Sequence, residues 1–484
     1  MKKFGDLLFG LASGESEALL HPDLIQRGFF ERDNTIENLI NGDKYILLGY
    51  KGSGKSIIGE KILSLSTQCN NSFFVNKYSL GDFPFSQFGK ILPGVADESN
   101  KYPTTWSWIL HLLLINQLKA HNLLNGAPEK YTHILNALEA NGVLPIDDTN
   151  GLKQVVSKSS KHGFHINLKI LQYDYEHTKQ ADCGDCKHQK KSEDISSCIE
   201  EIQRLILTIK PSSKHIIIID GIDDILSMKK IQYQALSALF FAVSNINFFF
   251  KKENINCKII ILCRTDIFEK IELPNKNKQR ADFSITINWY HDSRNPSESM
   301  LLSLANCRAK LSDPNCQNVI ADFFPKMIKS KESFIYLLEY TRHTPRDFIQ
   351  LLVHIQNFSR AETLSTNDIL SGVKEYSNDY FLPEIKDEMV GYGSADDFNK
   401  FLEILSSFRE REIATKQILV DDDLPIETKK TFLRALFECS AIGNKSFNRI
   451  TEENIYHFRF RNRNYAYCLS DTIVLHNALW TALR

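Results

Sequence analysis

The sequence has little of several features that mark particular classes of protein. Its longest mainly apolar stretch, Trp106 to Ile115, contains His111 and is far shorter than the roughly 18 residues of a membrane span. The formal net charge is −1, so no overall field attracts nucleic acid or an anionic membrane. The 10 cysteines are mostly isolated, which favours a reducing compartment over a disulfide framework. These absences predict a soluble, cytoplasmic protein with no membrane partner.

The strongest positive signal is the segment from Gly49 to Ser56. It reads Gly-Tyr-Lys-Gly-Ser-Gly-Lys-Ser and matches the G-x-x-x-x-G-K-S pattern of a phosphate-binding loop. An apolar run at 44–48 precedes it as a candidate buried strand, and apolar residues at helical spacing follow it. Strand, glycine-rich loop and helix is the order that supports this motif.

The residue types in this segment explain how such a loop holds phosphate. Glycines allow the backbone to curl so that successive N–H groups point at phosphate oxygens. Lys55 is placed to reach the β- and γ-phosphates, and the Ser56 hydroxyl to bind Mg²⁺. The predicted nucleotide-binding residues are Gly49, Lys51, Gly52, Ser53, Gly54, Lys55, Ser56 and Ile57.

A second signal is the isoleucine-rich run at 214–224, which ends in acidic residues. Four successive isoleucines without alternation predict a strand buried on both faces. The acids follow its carboxyl end, where ligands bind in open α/β sheets. We predict that Asp220 holds Mg²⁺ through water and that Asp224, or alternatively Asp223, orients the attacking water.

Two arginines are candidates for contacting the nucleotide phosphates. The buried run at 258–263 ends at Arg264 and Thr265, either of which is placed to act as a polar sensor after the next strand. The alternative for Arg264 is a helix-capping or surface role. Thr344-Pro345-Arg346 begins a helix in a helical region, and Arg346 is a candidate second sensor or an arginine paired with acids.

A large insertion at about 80–205 interrupts the regular order of strands and helices. Within it, Cys183 and Cys186 form a C-x-x-C pair, with His177, His188 and Cys198 as further candidate ligands. A zinc site, an exposed loop with two free thiols and a redox switch are the alternatives. The exposed loop is favoured over zinc because a second close pair of ligands is absent from the sequence.

The tail at 396–484 has helical patterns followed by two alternating stretches, at 455–460 and 465–469, which predict a β-hairpin. Helices followed by a hairpin suggest a winged helix. Its basic and aromatic residues suit contact with DNA phosphates, docking of a protein, or the exposed face of a strand pair. These residues are Arg449, His457, Arg459, Arg461, Arg463, Tyr465 and Tyr467.

On these motifs the chain resembles additional-strand P-loop ATPases of the STAND/AAA+ type. The resemblance rests on 49–56, 216–224 with its D-G-x-D-D ending, 259–264 and 344–346. Asp224 stands where STAND enzymes usually carry glutamate, which implies slower hydrolysis. The segment 28–30, the phosphate loop and the tail are also similar to bacterial P-loop ATPases often found in anti-phage defence loci.

Together these observations predict an α/β fold: a three-layer P-loop NTPase core with a parallel sheet, a helical lid bundle and a winged-helix-like domain. The predicted limits are 1–295, with the insertion at about 80–205, then 296–390 and 396–484. ATP is favoured over GTP because no N-K-x-D motif follows the core strands. The resemblance implies a switch that acts through oligomerisation and a partner effector. The alternatives are a DNA-handling ATPase and a nucleotide-bound scaffold with little turnover.

Overall fold

The computed structural model describes most of the chain. The described residues are 2–31, 33–69, 72–81, 83–92, 98–125, 127–140, 142–145, 151–161, 189–222, 230–290, 298–420, 423–448 and 452–484. They divide into two compact units, a sheet unit (33–51 and 55–287) and a bundle unit (1–32, 52–54 and 288–484). The predicted domain limits stay a prediction, and residues 1–32 cluster with the bundle unit, not with the predicted core.

The helices and strands follow in chain order. The helices are α1 (Gly14–Leu20), α2 (Pro22–Gln26), α3 (Thr35–Ile40), α4 (Lys55–Gln68), α5 (Phe85–Phe88), α6 (Glu98–Ala120), α7 (Glu129–Ala140), α8 (Gly151–Lys161), α9 (Gln189–Ile209), α10 (Lys230–Lys252), α11 (Thr265–Lys270), α12 (Lys276–Phe283), α13 (Met300–Ser312), α14 (Val319–Phe323), α15 (Ser333–Leu338), α16 (Pro345–Gln356), α17 (Thr366–Glu375), α18 (Leu382–Glu388), α19 (Ala395–Ser407), α20 (Thr415–Val420), α21 (Ile426–Glu438) and α22 (Asn477–Ala482). The strands are β1 (Ile46–Gly49), β2 (Phe73–Ser79), β3 (Lys214–Asp220), β4 (Cys257–Arg264), β5 (Ser284–Thr286), β6 (Met327–Ile328), β7 (Lys331–Glu332), β8 (Glu412–Ala414), β9 (Ile442–Asn448), β10 (Glu453–His457) and β11 (Thr472–Leu475).

The sheet unit is built on a five-stranded sheet with the order β2-β3-β4-β1-β5. Every pairing in it is parallel. β1, β3 and β4 are almost entirely buried, as their unbroken apolar runs predicted. β4 lies between β1, which leads into the phosphate loop, and β3, which ends at Asp220. The α/β core with a parallel sheet is therefore confirmed, and β4 is the additional strand.

Helices pack on this sheet and extend the core of the same unit. α6 packs against α9 and α10, and α10 packs against β4. Trp106 and Trp108 of α6 are fully buried there, and Trp106 donates its indole N–H to the Ala235 carbonyl at 2.7 Å. The segment Gln232–Lys252 of α10 is long and apolar enough to cross a membrane, but 56% of its most apolar part is buried inside the protein. Its composition is thus also that of a core helix.

The bundle unit has its own core, in which the N-terminal segment takes part. Phe4, Leu7 and Phe9 are buried with apolar residues of α13 to α19. Glu17 of α1 accepts two hydrogen bonds from the buried Arg308 guanidinium, at 2.6 and 2.9 Å. The unit ends in a four-stranded sheet with the order β10-β9-β11-β8. The winged-helix interpretation of this region stays a prediction.

Three local predictions were wrong. The polar, poorly periodic sequence of 155–165 predicts irregular structure, but α8 reaches Lys161 and buries Val155 and Val156. The mixed, polar sequence of 377–395, with one proline and two glycines, predicts a linker, but a π-helical turn (Tyr376–Phe381) and α18 occupy most of it. The predicted hairpin is shifted, because β10 ends at His457 and its antiparallel partner is β9. In the first two cases, tertiary burial of a few apolar side chains outweighs a polar local composition.

Candidate phosphate-binding site

The phosphate loop leaves β1 at Gly49 and ends where α4 begins. Gly52 has φ +75° and Gly54 has φ +93°, a left-handed region that favours glycine. A Cβ at Gly54 would meet no atom within 4 Å, whereas one at Gly52 would come within 3.1 Å of Arg346 Cβ. Gly54 thus borders open space, and Gly52 is needed for both its conformation and a close contact.

Lys55 begins α4 and is buried, with a relative exposure of 5%. Its Nζ donates to the carbonyl oxygens of Gly49 and Tyr50, both at 3.3 Å. The ammonium group therefore lies over the loop that the sequence predicted to hold phosphate. The Ser53 hydroxyl is also buried and has no hydrogen-bond partner among the described residues. A positive charge, an unsatisfied hydroxyl and the open space at Gly54 fit a polyphosphate anion.

The carboxyl ends of the neighbouring strands meet at the same edge of the sheet. Gly49 pairs in register with Arg264, and Ile219, the residue before Asp220, pairs with Ile261. Ser79 of β2 pairs with Asp220. This edge is where ligands bind in open α/β sheets. The parallel order therefore brings the end of β3 to the edge where the phosphate loop begins.

Asp220, the predicted magnesium residue, is buried and already makes two polar contacts. Its Oδ1 accepts the Gly221 N–H at 2.8 Å, and its Oδ2 lies 3.0 Å from Lys77 Nζ. Sequence reasoning missed Lys77. The signal available was a lysine inside an otherwise largely apolar β2. Among the described residues, no group of three or more histidine, cysteine, aspartate or glutamate side chains could hold a metal ion.

Several predicted residues lie outside the described residues. They are Asp223, Asp224, His177, Cys183, Cys186, His188 and Arg449. The predicted catalytic acids and the zinc, thiol-loop and redox hypotheses therefore stay predictions. Cys198, which is described, is buried on α9.

Arg264 ends β4 and forms a two-point ion pair with Asp266. Its Nε and Nη2 donate to the two carboxylate oxygens, both at 2.9 Å. Burial alone would raise the pKa of Asp266, but the charge and hydrogen bonds of Arg264 lower it below its usual value. The neighbouring Thr265 hydroxyl is buried and has no partner among the described residues. Of the two predicted sensors, Thr265 has the unused hydrogen-bonding capacity.

Arg346 lies in the first turn of α16, within the bundle unit. Thr344 is the N-cap and accepts the Asp347 N–H at 3.2 Å, as expected for a threonine before a helix-starting proline. The Arg346 N–H donates to the Gly52 carbonyl at 3.3 Å, and its guanidinium lies 3.9 Å from Glu384. The predicted second sensor therefore lies beside the tip of the phosphate loop, which is residues 52–54. The alternative, a pairing of Arg346 with an acid, is present as the long contact with Glu384.

The loop tip has a second partner in the bundle unit that sequence reasoning did not predict. Trp289 donates its indole N–H to the Ser53 carbonyl at 2.9 Å. Its ring also packs near Phe30, with 6.4 Å between the ring centroids. The only sequence signal is that Trp289 ends the short run at 284–289, whose pattern predicts the last core strand. The carbonyls of Gly52 and Ser53 are thus each held by a donor from outside the loop.

A buried ion pair organises the segment that carries Arg346. The Arg342 guanidinium donates to both carboxylate oxygens of Asp347 at 2.8 Å, and Tyr380 donates to Asp347 at 3.2 Å. Arg342 also lies over the Phe381 ring. Burial disfavours the charged carboxylate, but Arg342 lowers the pKa of Asp347 below its usual value. The pair therefore positions the start of α16.

In the predicted basic hairpin of the tail, two arginines make contacts within the same region. Arg459 pairs with Glu438 at 3.2 Å and donates to the Tyr465 carbonyl at 3.0 Å. Arg461 lies over the rings of Phe458 and Phe460. These contacts hold the segment that follows β10. Arg459 and Arg461, which the sequence also offered as candidates for contact with DNA phosphates, therefore have a structural role.

The sheet order, the additional strand and the phosphate loop define the fold as that of an additional-strand P-loop NTPase. Residues 299–382 match the family model described as the FunZ-associated C-terminal helical domain. The matched range covers most of the predicted helical bundle and includes Arg346. It is less than half of the chain, so it does not assign the whole protein to a family.

Among solved structures, the chain is similar to the Aeropyrum pernix Orc1 protein, whose structure was solved in complex with DNA. The identity is 11% and the TM-score is 0.40, over 96% of this chain and 95% of that chain. Similarity at this level assigns neither a fold nor a function. No curated protein was found to match the sequence.

Proposed function

We propose that the protein binds ATP with Mg²⁺ at residues 49–56 and hydrolyses it as a nucleotide-controlled switch. The observation that carries this proposal is the position of Lys55. Its ammonium group is buried over a glycine loop that borders open space, at the carboxyl edge of a parallel sheet. Loop N–H groups and a lysine in this arrangement are suited to a triphosphate.

Each residue of the proposed site has a separate role in binding or hydrolysis. Lys55 and the loop amides bind the phosphates, and Ser56 and Asp220 are the residues that would hold Mg²⁺, with Asp220 acting through water. The metal supplies neutralisation of phosphate charge when it is bound. Asp224, or alternatively Asp223, orients the attacking water. Thr265 or Arg264, and also Arg346, contact the terminal phosphate. The resembled family carries one polar sensor at the end of the strand after the acidic one and a second sensor at the start of a lid helix.

The switch itself is proposed from the contacts of the loop tip. The Gly52 and Ser53 carbonyls accept hydrogen bonds from Arg346 and Trp289. A change in loop conformation would alter these bonds, and with them the start of α16. The resemblance to STAND/AAA+ ATPases implies that this change controls oligomerisation and a protein effector, in bacterial signalling or anti-phage defence.

The test is equilibrium binding of a fluorescent ATP analogue with Mg²⁺, to the wild type and to Lys55→Ala. We expect the variant to lose detectable binding, and Lys61→Ala, on the same helix, to bind as the wild type does. Competition with GTP tests nucleotide choice. Equal binding by Lys55→Ala and the wild type would reject the site.

Two further measurements separate the proposed switch from its rivals. Light scattering with a slowly hydrolysed ATP analogue is expected to show a change of assembly that Lys55→Ala lacks. Phosphate release is expected to be measurable in the wild type. Bound nucleotide with negligible release would favour a scaffold, and salt-sensitive DNA binding that is lost on replacing Arg463 by glutamate would favour a DNA-handling ATPase.

A further inference from the structure

Lys77 lies between two carboxylates at the edge of the sheet unit. Its Nζ is 2.8 Å from Glu60 Oε1 and 3.0 Å from Asp220 Oδ2. All three side chains are mostly buried, with exposures of 10% for Lys77, 13% for Glu60 and 6% for Asp220. The ammonium group therefore neutralises the acid that ends β3 in a poorly hydrated position, where a single charge has a large effect.

The fold holds Lys77 in this place from two sides. β2 pairs with β3 in a parallel register that sets Ser79 opposite Asp220. Lys77 lies two residues before Ser79 and therefore on the same face of β2. Gly59 of α4 lies beside the lysine stem, since a Cβ there would be in ordinary van der Waals contact with Lys77 Cε at 3.6 Å. Glu60, the next residue of the same helix, provides the second carboxylate.

We propose that Lys77 is an internal counter-cation for Asp220. In this proposal, which rests on the proposed Mg²⁺–nucleotide site, Lys77 holds the Asp220 carboxylate while no metal is bound. Asp220 must release Lys77 before it can accept a hydrogen bond from metal-bound water. Glu60 retains the released ammonium group, so the exchange moves one ion-pair partner without exposing a buried charge. Lys77 is thus a positioning residue that sets how much Mg²⁺ the site requires.

The experiment measures the Mg²⁺ concentration for half-maximal binding of a fluorescent ATP analogue in the full-length protein. Lys77→Met removes the competing cation, so we expect the midpoint to fall roughly tenfold. Glu60→Gln removes the retaining carboxylate and leaves Lys77 paired with Asp220 alone, so we expect the midpoint to rise. Lys119→Met removes the lysine of an exposed pair with Glu139 and is the matched control, with an expected midpoint equal to that of the wild type.

The opposite signs separate this role from a merely structural one. General damage to the sheet edge would weaken nucleotide binding in both variants and move both midpoints upward. Midpoints that match the wild type, or that move in the same direction, would overturn the inference while Mg²⁺-dependent binding by the wild type upholds the proposed function. Absence of Mg²⁺-dependent binding in the wild type would instead reject the proposed function, and this inference with it. Should Lys77→Met not fold, Lys77→Gln, which removes the same charge but keeps a polar side chain, replaces it with the same expected fall in the midpoint.

Discussion

Trp289 donates its indole N–H to the Ser53 carbonyl at 2.9 Å, although the two residues are 236 positions apart in the sequence. Ser53 is the middle residue of the loop tip, and its own hydroxyl is buried without a partner among the described residues. The loop amides must face phosphate, so the carbonyls on the other side of the same peptides need donors from elsewhere. Trp289 supplies one such donor.

Trp289→Phe tests this contact, because phenylalanine keeps a ring near Phe30 but removes the donor. We expect a loss of about 1 kcal/mol in the free energy of unfolding, the usual net contribution of such a hydrogen bond. We also expect roughly fivefold weaker binding of the ATP analogue, since the loop is then less preorganised. Trp480→Phe, at a ring covered by Arg484, is the control. Unchanged affinity in Trp289→Phe would show that this bond does not hold the loop in its binding conformation.

Asp224→Ala is expected to keep nucleotide binding and to lose turnover, because its proposed role is to orient water and not to hold phosphate. The expectation rests on the position of Asp224 after Asp220 in the sequence, since both Asp223 and Asp224 lie outside the described residues. The measurement is phosphate release under saturating ATP, beside analogue binding. Normal turnover in Asp224→Ala, with a loss in Asp223→Ala, would transfer the role to Asp223.

Asp347→Asn is expected to destabilise the bundle unit, because it leaves the buried Arg342 guanidinium without a counter-charge. Removal of one partner of a buried pair costs about 3 kcal/mol or more. Urea unfolding followed by circular dichroism measures the change. Glu427→Gln, at an exposed pair with Lys430, is the control and should change the free energy of unfolding little. A similar small cost in both variants would mean that the Arg342–Asp347 pair does not stabilise this region.

The same pair predicts a dependence on acid. The folded-state pKa of Asp347 lies below its unfolded value of about 3.9, so its stabilising contribution is present above that pH. The contribution is lost as the pH falls from about 3.9 through the folded-state pKa. Asp347→Asn should remove this part of the acid sensitivity, measured as the slope of unfolding free energy against pH.

His476 predicts a second pH dependence at milder acidity. Burial lowers its pKa to about 3, although hydrogen bonding to the Thr341 carbonyl opposes this shift. The unfolded chain takes up a proton near pH 6.5, so the stabilisation by neutral His476 is complete above that pH and is lost towards pH 3. Between pH 7.5 and 5.5 this amounts to about 1.4 kcal/mol.

His476→Gln is therefore expected to flatten the fall in unfolding free energy over this range. His354→Gln, at a half-buried histidine of the same unit, is the control. Urea unfolding at the two pH values gives the comparison. An unchanged slope in His476→Gln would mean that His476 is not a source of the acid sensitivity.

Local sequence was sufficient for the core strands and the phosphate loop. The isoleucine run of β3 lies buried on both faces, and such a run can be recognised without its partners, because successive residues on both faces are apolar. The loop is likewise contained in eight neighbouring residues whose backbone requirements appear as glycines. For Arg346, the Thr-Pro pair marked the helix start because the cap and the first turn are adjacent in the chain.

The order of the strands and the partners of the charged side chains came only from the folded chain. No pattern within β4 states that it lies between β1 and β3, since parallel neighbours are chosen by packing across the whole sheet. Lys77 meets Asp220 because β2 is the neighbour of β3, and Trp289 meets Ser53 across 236 positions of the chain. The shifted hairpin also depends on distant partners: β10 pairs with β9, and Phe460 lies beyond the strand, where its ring stacks on His343. The alternation of apolar and polar residues along a strand indicates which side chains are buried. The elements that cover those side chains are determined by contacts between distant parts of the chain.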